Sequence, residues 1–124
     1  MSNNELSKII LDCAFTVHSE LGPGLLESVY QKCLTYELRK ANLKVVEEKP
    51  VPLFYKGIKM SCAYRLDLWI EDKFLVEIKA VKSFDQIHIA QVISYLKLTE
   101  TRVALLLNFN TKSLKNGIKR IIND

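Results

Sequence analysis

The sequence predicts an α/β fold in which helices flank a mixed β-sheet, and three observations support that prediction. Two amphipathic helical segments open the chain, over residues 2–21 and 25–41. β-Branched and aromatic residues dominate residues 45–80 and are interrupted by turn signals. A further helical segment then separates this region from a second apolar run. The predicted order is α-α-β-β-β-α-β-α, which we interpret as one domain spanning residues 1–124.

The two N-terminal helices are predicted from apolar residues that recur every three or four positions. Ser2 and Glu5 have the spacing of a capping box at the start of the first helix. Gly22 and Pro23 are typical of its end. The second helix carries Glu27 in its first turn, where a carboxylate suits the helix dipole.

The β-rich region predicts three strands, near residues 45–55, 58–70 and 74–80. Two prolines within the first strand indicate a sheet edge or a bulge. Lys56-Gly57 suits a tight hairpin turn between the first two strands.

The C-terminal third is predicted as helix, strand and helix. Ser83 and Gln86 have capping-box spacing at the start of the third helix. The continuous apolar run "RVALLLNF" indicates a buried central strand, parallel to strand 74–80 across the intervening helix. Isoleucines at helical spacing predict a last helix in "SLKNGIKRIIND", although Gly117 weakens that pattern.

Composition and cysteine usage exclude several classes of protein. No apolar run approaches the roughly 18 residues that a membrane span needs. The start "MSNNELSK" lacks the features of a secretory signal, so we expect a cytoplasmic protein. Cys13, Cys33 and Cys62 are widely spaced and odd in number, which favours buried free thiols over disulfides or a zinc site.

The formal net charge is +4, and the excess of basic residues falls in residues 101–124 when the chain is counted in large blocks. A phosphate-facing patch is one interpretation. A solvated helix face is the other, and composition alone favours it. The basic residues of this segment are Arg102, Lys112, Lys115, Lys119 and Arg120.

The stretch "YRLDLWIEDKFLVEIKA" places charges inside an apolar hairpin. A three-residue turn, "EDK", would pair Ile70 with Phe74 and bring Asp67 opposite Glu77. Directly opposed carboxylates repel each other and destabilise a sheet, whereas a cation between them would reverse the sign of the interaction. A two-residue turn would separate the two carboxylates. Leu66 is predicted on the opposite, apolar face.

The ligand types indicate which cation such a pair would bind. Two carboxylates without a cysteine or histidine cluster are hard oxygen donors, which favours Mg²⁺ or Mn²⁺ over zinc. Lys79 projects on the same side as Glu77 and could hold a phosphate oxygen or orient a water. These are parts for metal-assisted hydrolysis of a phosphodiester. A solvated charged strand face is the alternative.

The segment "GLLESVY" fits the GxxExxY signature of a family of small bacterial proteins. The blocks "GPGLLESVY", "YRLDL", "VEIKAV", "AQVISYL" and "LLNF" follow in that family's order. Over residues 4–122 the chain resembles the GxxExxY family, which is assigned to the PD-(D/E)xK nuclease superfamily. The resemblance implies a restriction-endonuclease-like fold.

The resemblance also implies roles for individual residues. Asp67 and Glu77 would bind Mg²⁺, together with the backbone carbonyl of Ile78. Lys79 would assist catalysis, and Glu27 would be an additional catalytic acidic residue beside the metal and a further metal ligand. Leu66 stands where the superfamily pattern often has proline, a departure that is common there.

The third helix supplies further candidates. Gln91 and Tyr95 resemble the QxxxY motif of the RecB-like branch, which lies beside the active site, and His88 falls on the same polar stripe. Tyr30 ends the GxxExxY signature and is a supporting candidate.

The sequence therefore favours a Mg²⁺- or Mn²⁺-dependent nuclease acting on DNA or, less directly, RNA. A non-catalytic nucleic-acid-binding or protein-interaction module that keeps the nuclease fold is the alternative. A chain this small has no separate recognition domain, so a homodimer or a partner protein is a further expectation. Tyr64 and Trp69, beside the acidic pair, could stack on bases, although core packing is the favoured interpretation.

Overall fold

The computed structural model describes residues 1–123, apart from the side chains of Cys62 and Ala63. The thiol predicted for Cys62 therefore lies outside the described residues. The elements are, in chain order, α1 (Asn3–Leu21), α2 (Glu27–Lys40), β1 (Val45–Tyr55), β2 (Ile58–Ile70), β3 (Phe74–Lys79), α3 (Gln86–Thr99), β4 (Val103–Asn108), a 3₁₀ turn (Leu114–Gly117) and β5 (Ile118–Ile122).

The strands of the described chain form one five-stranded sheet in the order β1-β2-β3-β4-β5. β3 and β4 are parallel, and the other neighbouring pairs are antiparallel. Helices α1 and α2 pack on one face of the sheet, and α3 packs on the other. The predicted mixed sheet flanked by helices is confirmed, and it is consistent with a restriction-endonuclease-like fold.

Helix α1 begins as the sequence predicts, and α3 begins elsewhere. The side chain of Ser2 accepts a hydrogen bond from the backbone N–H of Glu5, completing the predicted capping box. The prediction of Ser83 as the cap of α3 is wrong, because the structure places the cap at Asp85. Asp85 caps the helix, and the Nδ1 atom of His88 accepts the Asp85 N–H at 2.9 Å.

The predicted last helix is wrong, because "IKRII" forms strand β5 on the free edge of β4. Gly117 explains the departure: a Cβ atom there would collide with the backbone carbonyl oxygen of Asn108. The two chain segments therefore approach more closely than any residue but glycine allows. The basic side chains of residues 101–122 are consequently distributed over a loop, a 3₁₀ turn and an edge strand, and they do not share a helix face.

The alternation of side chains along β2 breaks at Asp67. Leu68 and Ile70 pack with the helices α1 and α2, as predicted, but Leu66 packs with the cluster under α3. The prediction that Leu66 shares their face is therefore wrong. The neighbouring strand is distorted at the same level, where Glu48 has a φ of 54° between two regularly paired residues.

The remaining sequence features are mostly reproduced. β1 is an edge strand with a register shift after Pro52, as the prolines predicted. Lys56 and Gly57 form the predicted tight turn with positive φ angles. Cys13 and Cys33 are free and half-buried rather than fully buried. Among the helices of residues 1–123, the length and apolar character required to cross a bilayer do not occur together.

Candidate active site

The candidate site begins where the ladder between β2 and β3 ends. The predicted three-residue turn is confirmed, since Ile70 pairs with Phe74 and Trp69 pairs with Leu75. Regular pairing stops one step later, at Leu68 and Val76. The next residues of the two strands, Asp67 and Glu77, are the carboxylates that the sequence singled out.

Each of these carboxylates accepts a backbone N–H of the other strand. Glu77 Oε2 accepts the Asp67 N–H at 2.9 Å, and Asp67 Oδ2 accepts the Ile78 N–H at 2.8 Å. The side chains thus take the place of ladder bonds at the point where the strands stop pairing. The two carboxylates meet as predicted, but they are held by backbone donors of the opposite strand and not by regular cross-strand pairing.

The electrostatics of the pair are those of two buried like charges. Burial, followed by the negative charge of Asp67, raises the pKa of Glu77 to about 9. Burial also raises the pKa of Asp67, against the opposing effects of its hydrogen bonds and of Lys79. The protein without a cation therefore favours a shared proton over two full charges in this site.

Lys79 and α3 border the carboxylates on one side. The Lys79 ammonium Nζ lies 3.5 Å from Gln91 Oε1, at the limit of a hydrogen bond. Tyr95 is buried, and its pKa is raised by burial and then by the charges of Glu77 and Asp67. The structure therefore brings Gln91 and Tyr95 to the same side of the sheet as the acidic pair.

Glu27 approaches from the other side, on the first turn of α2. Its Oε1 atom accepts the N–H of Ala80 at 3.2 Å, so it contacts the end of β3. Its charge also raises the pKa of Asp67. Glu27 thus lies at the border of the site, close enough to influence the buried pair electrostatically.

Tyr30 supports this arrangement from the core. It is fully buried, and its ring stacks on Phe109 with 4.7 Å between centroids. Its hydroxyl donates to the carbonyl of Gly22 at 2.6 Å and accepts the N–H of Leu25 at 3.1 Å. Both capacities of the hydroxyl are used within the turn before α2, so Tyr30 fixes the loop that presents Glu27.

Asn108 is a site-shaping residue that sequence reasoning missed. It is buried at the end of β4 and pairs with Lys79. Its side-chain oxygen accepts the N–H of Val81, and its side-chain NH₂ donates to the carbonyl of Val81. The segment that leaves β3 is thereby fixed against β4. A polar Asn inside the apolar run "RVALLLNF" was the available signal.

Several other candidates have structural roles. His88 caps α3 through Asp85, and the Nε2 atom of His18 lies 2.7 Å from the carbonyl oxygen of Thr111. Trp69 is buried in the cluster under α3, as favoured from the sequence. Tyr64 differs, since 41% of its surface is exposed and its ring lies 5.3 Å from that of Tyr95.

Comparison with known proteins identifies the family of this chain. A family model described as "PD-(D/E)XK nuclease superfamily" matches residues 4–121. The chain belongs to the PD-(D/E)XK nuclease superfamily. Comparisons with curated proteins and with solved structures gave no match. Superfamily membership makes a nucleic acid the expected substrate class, and the superfamily typically uses divalent metals.

The donor set of this PD-(D/E)XK chain fits a hard divalent cation. The two carboxylates are buried together, and burial is the main reason that the pKa of each is raised, with the charge of Asp67 adding to it at Glu77. Among the described residues, no group of three or more His, Cys, Asp or Glu side chains could hold a metal. Mg²⁺ commonly binds through one or two carboxylates and keeps several waters, so two carboxylates suffice for it.

Proposed function

We propose that this protein is a Mg²⁺- or Mn²⁺-dependent nuclease that hydrolyses phosphodiester bonds of DNA or, as the second choice, RNA. The observation that carries the proposal is the buried pair of Asp67 and Glu77, held by reciprocal backbone hydrogen bonds with Lys79 two residues away. Superfamily membership supports it. Assignment to the GxxExxY family, a single domain over residues 1–124 and a cytoplasmic location remain parts of the proposal that rest on the sequence.

A purely structural role explains the acidic pair poorly. Burying two carboxylates side by side costs free energy, because each loses water and repels the other. A stable core would place apolar residues here, as it does at Leu68 and Val76. The retained charges are explained if the native state binds a divalent cation at this point.

In the proposed site, Asp67 and Glu77 would hold the cation with the backbone carbonyl of Ile78, and Glu27 would lie beside it. The cation would supply an activated water and would neutralise charge that develops on the phosphate. Asp67 and Glu77 would hold the cation as carboxylates, so the proton that they share would be released on binding.

Lys79 and α3 would act on the substrate. The Lys79 ammonium is near enough to Glu77 to hold a phosphate oxygen or orient the attacking water in the same site. Gln91 Oε1 lies 3.5 Å from the Lys79 ammonium, and Tyr95 is buried on the α3 side of the site. Together these groups position a phosphodiester against the acidic pair without contacting its bases.

The direct test is a cleavage assay with Mg²⁺ and with Mn²⁺ on single-stranded DNA, duplex DNA and RNA. Lys79→Ala should lower the cleavage rate by about 100-fold or more, as expected for losing a charged group that contacts the reacting phosphate. Lys8→Ala is the matched control, because Lys8 is exposed on α1 and remote from the acidic pair. It should cleave at the wild-type rate.

Metal binding is tested separately by thermal denaturation. Millimolar Mg²⁺ or Mn²⁺ should raise the melting temperature of the wild type, since a ligand that binds the native state stabilises it. Glu77→Gln should lose that shift. If Lys79→Ala cleaves at the wild-type rate and neither metal shifts the melting temperature, the nuclease proposal fails and the non-catalytic module is favoured. Light scattering in the same buffer tests the proposed homodimer.

A further inference from the structure

The β1–β2 hairpin extends well beyond the rest of the sheet. In the part of the chain that the structure describes, β3 pairs with β2 only over residues 68–70, and the hairpin between residues 49 and 66 has no third strand beside it. We call residues 49–66 the arm. At about 3.3 Å per residue, the nine residues of β2 within the arm span about 30 Å. The arm projects past the edge of the sheet at which the acidic pair and Lys79 lie.

The arm has a strongly one-sided charge. It contains Lys49, Lys56, Lys59 and Arg65, and its sequence contains no Asp or Glu. Within the described part of the chain, the one ion pair shorter than 4 Å from the arm joins Arg65 to Glu48 at its base, at 3.9 Å. The three lysines therefore present uncompensated positive charge along a narrow ribbon.

The arm also exposes large apolar and aromatic side chains. Phe54 and Tyr55 are each 58% exposed, and Ile58 is 65% exposed. Lys56 lies over the Tyr55 ring, with 5.5 Å from Nζ to the ring centroid. Val51 and Leu66 at the base of the arm are buried in the cluster under α3, whereas a two-stranded ribbon beyond such a core is marginal by itself. The exposed apolar residues at the tip are therefore unexplained by folding.

The base of the arm adjoins the site. Arg65 and Leu66 directly precede Asp67 in β2, and the exposed Tyr64 ring lies 5.3 Å from the Tyr95 ring. Cations and aromatic rings thus occur at both ends of the arm, beside the acidic pair and at the hairpin tip, separated by residues 50–53 and 60–63. Any chain that follows the arm passes the carboxylates.

We propose that the arm binds a single-stranded nucleic acid and guides it into the acidic site. Lysines along a groove or ribbon contact phosphates, whereas aromatic rings stack on bases only where the bases are unpaired. The combination therefore favours a single strand over a duplex. An arm of about 30 Å corresponds to roughly nine nucleotides at the stacked spacing of about 3.4 Å, and to fewer in an extended strand. The guiding role rests on the proposed nuclease function, but the binding does not.

Two features argue against a second copy of the chain as the occupant. A two-fold contact would place the same patch of each copy against the other, so that four cations would face four cations. Pro50 and Pro52 on the edge strand β1 also remove backbone donors that an added strand would need. A polyanion neutralises the arm, whereas a second copy adds to its repulsion.

The test measures binding of the intact protein to fluorescently labelled 20-nucleotide single strands in EDTA, by anisotropy. Lys56→Ala/Lys59→Ala should weaken binding at least tenfold. It should also reduce the magnitude of the negative slope of log K against log salt by about 1.4, because two phosphate contacts are lost. Phe54→Ser/Tyr55→Ser should weaken binding about tenfold or more and leave the salt slope unchanged. The matched control is Lys8→Ala/Lys97→Ala, which removes two exposed charges from α1 and α3.

Further measurements in the same series separate the outcomes. A 20-base-pair duplex should bind at least tenfold more weakly than the single strand, and four-nucleotide strands more weakly than ten-nucleotide strands. Unchanged binding in both arm variants, or equal loss in the control, overturns the proposal, as does tighter binding of the duplex. A dimer in the wild type that becomes a monomer in the Phe54→Ser/Tyr55→Ser variant, with unchanged oligonucleotide binding, would assign the arm to self-association.

Failure of the arm and failure of the nuclease are distinguishable. A small chromogenic phosphodiester, too short to reach the arm, should be hydrolysed equally by wild type and arm variants when metal is present. Loss of long-strand binding in EDTA without any turnover of either substrate would leave the arm proposal intact and remove the nuclease. If the arm variants cleave long strands with an unaltered KM, the nuclease proposal stands and the arm proposal fails.

Discussion

The two halves of strand β2 differ more than any other adjacent parts of the molecule. Residues 68–70 lie between β1 and β3, and Leu68 and Ile70 are completely buried. Among the described residues, residues 58–66 pair with β1 alone. Leu66 at the base is buried under α3, and Ile58 near the tip is 65% exposed. One continuous strand therefore belongs to the core at one end and to a projecting ribbon at the other.

The boundary between the two halves is the candidate site itself. Where the third strand stops pairing, backbone N–H groups of Asp67 and Ile78 are left without ladder partners. The two carboxylates accept these donors, and the side-chain alternation of β2 changes at the same residue. The end of a β-ladder thus offers backbone N–H groups that can hold charged side chains in place beside a packed core.

The largest expected difference between the two halves concerns stability. Leu68→Ala should lower the free energy of unfolding by about 2–5 kcal/mol, because it leaves a cavity in a packed core. Ile58→Ala should change it by less than about 0.5 kcal/mol, as for other exposed positions. Urea denaturation of both variants measures the two values. Comparable losses would mean that the arm is part of the cooperative core.

The boundary should make stability depend on pH. The folded pKa of Glu77, about 9, lies above its ordinary value of 4.5, so the folded state keeps a proton that the unfolded chain loses. In EDTA, the free energy of unfolding should therefore fall as pH rises from about 5 to 9. Glu77→Gln, which cannot titrate, should flatten that decline. If the free energy of unfolding of the variant falls with the same slope, other titrating groups cause the pH dependence.

The smallest expected effect concerns the distorted residue opposite the boundary. Glu48→Gly should leave the free energy of unfolding within about 1 kcal/mol of wild type, because glycine relieves the positive φ but loosens the unfolded chain. Val46→Gly, in the regular part of β1, should cost about 1 kcal/mol or more. If Glu48→Gly is the more destabilising of the two, the irregular backbone at this level depends on the Glu48 side chain.

Most of the fold was predictable because its signals are local. Apolar spacing predicted the first three helices, turn residues predicted the hairpins, and the "EDK" turn predicted the register of β2 and β3. The last strand was not predictable in this way. Its isoleucines have helical spacing, and the pairing with the free edge of β4, distant in sequence, makes the segment a strand.

The site was predictable in its residue types and less so in its geometry. Opposed acidic residues across a predicted turn identified Asp67 and Glu77, whereas their bonds to backbone N–H groups depend on where β3 pairing ends. The switch of Leu66 to the other face has the same cause. The charge of the arm was missed because counting over residues 41–100 averages its four cations with acidic residues on either side.

The parallel pairing of β3 with β4 has a consequence for the order of events during synthesis. β4 lies between β3 and β5 in the sheet but is made after α3, so β3 has an open edge until residues 103–108 leave the ribosome. Only then can Phe109 donate to the carbonyl of Lys79 and Asn108 bond Val81. Long-range pairing of this kind is slow to form. A nascent chain that ends before residue 109 therefore has both carboxylates but not the surroundings that fix them, and the site is completed only after β4 has been made.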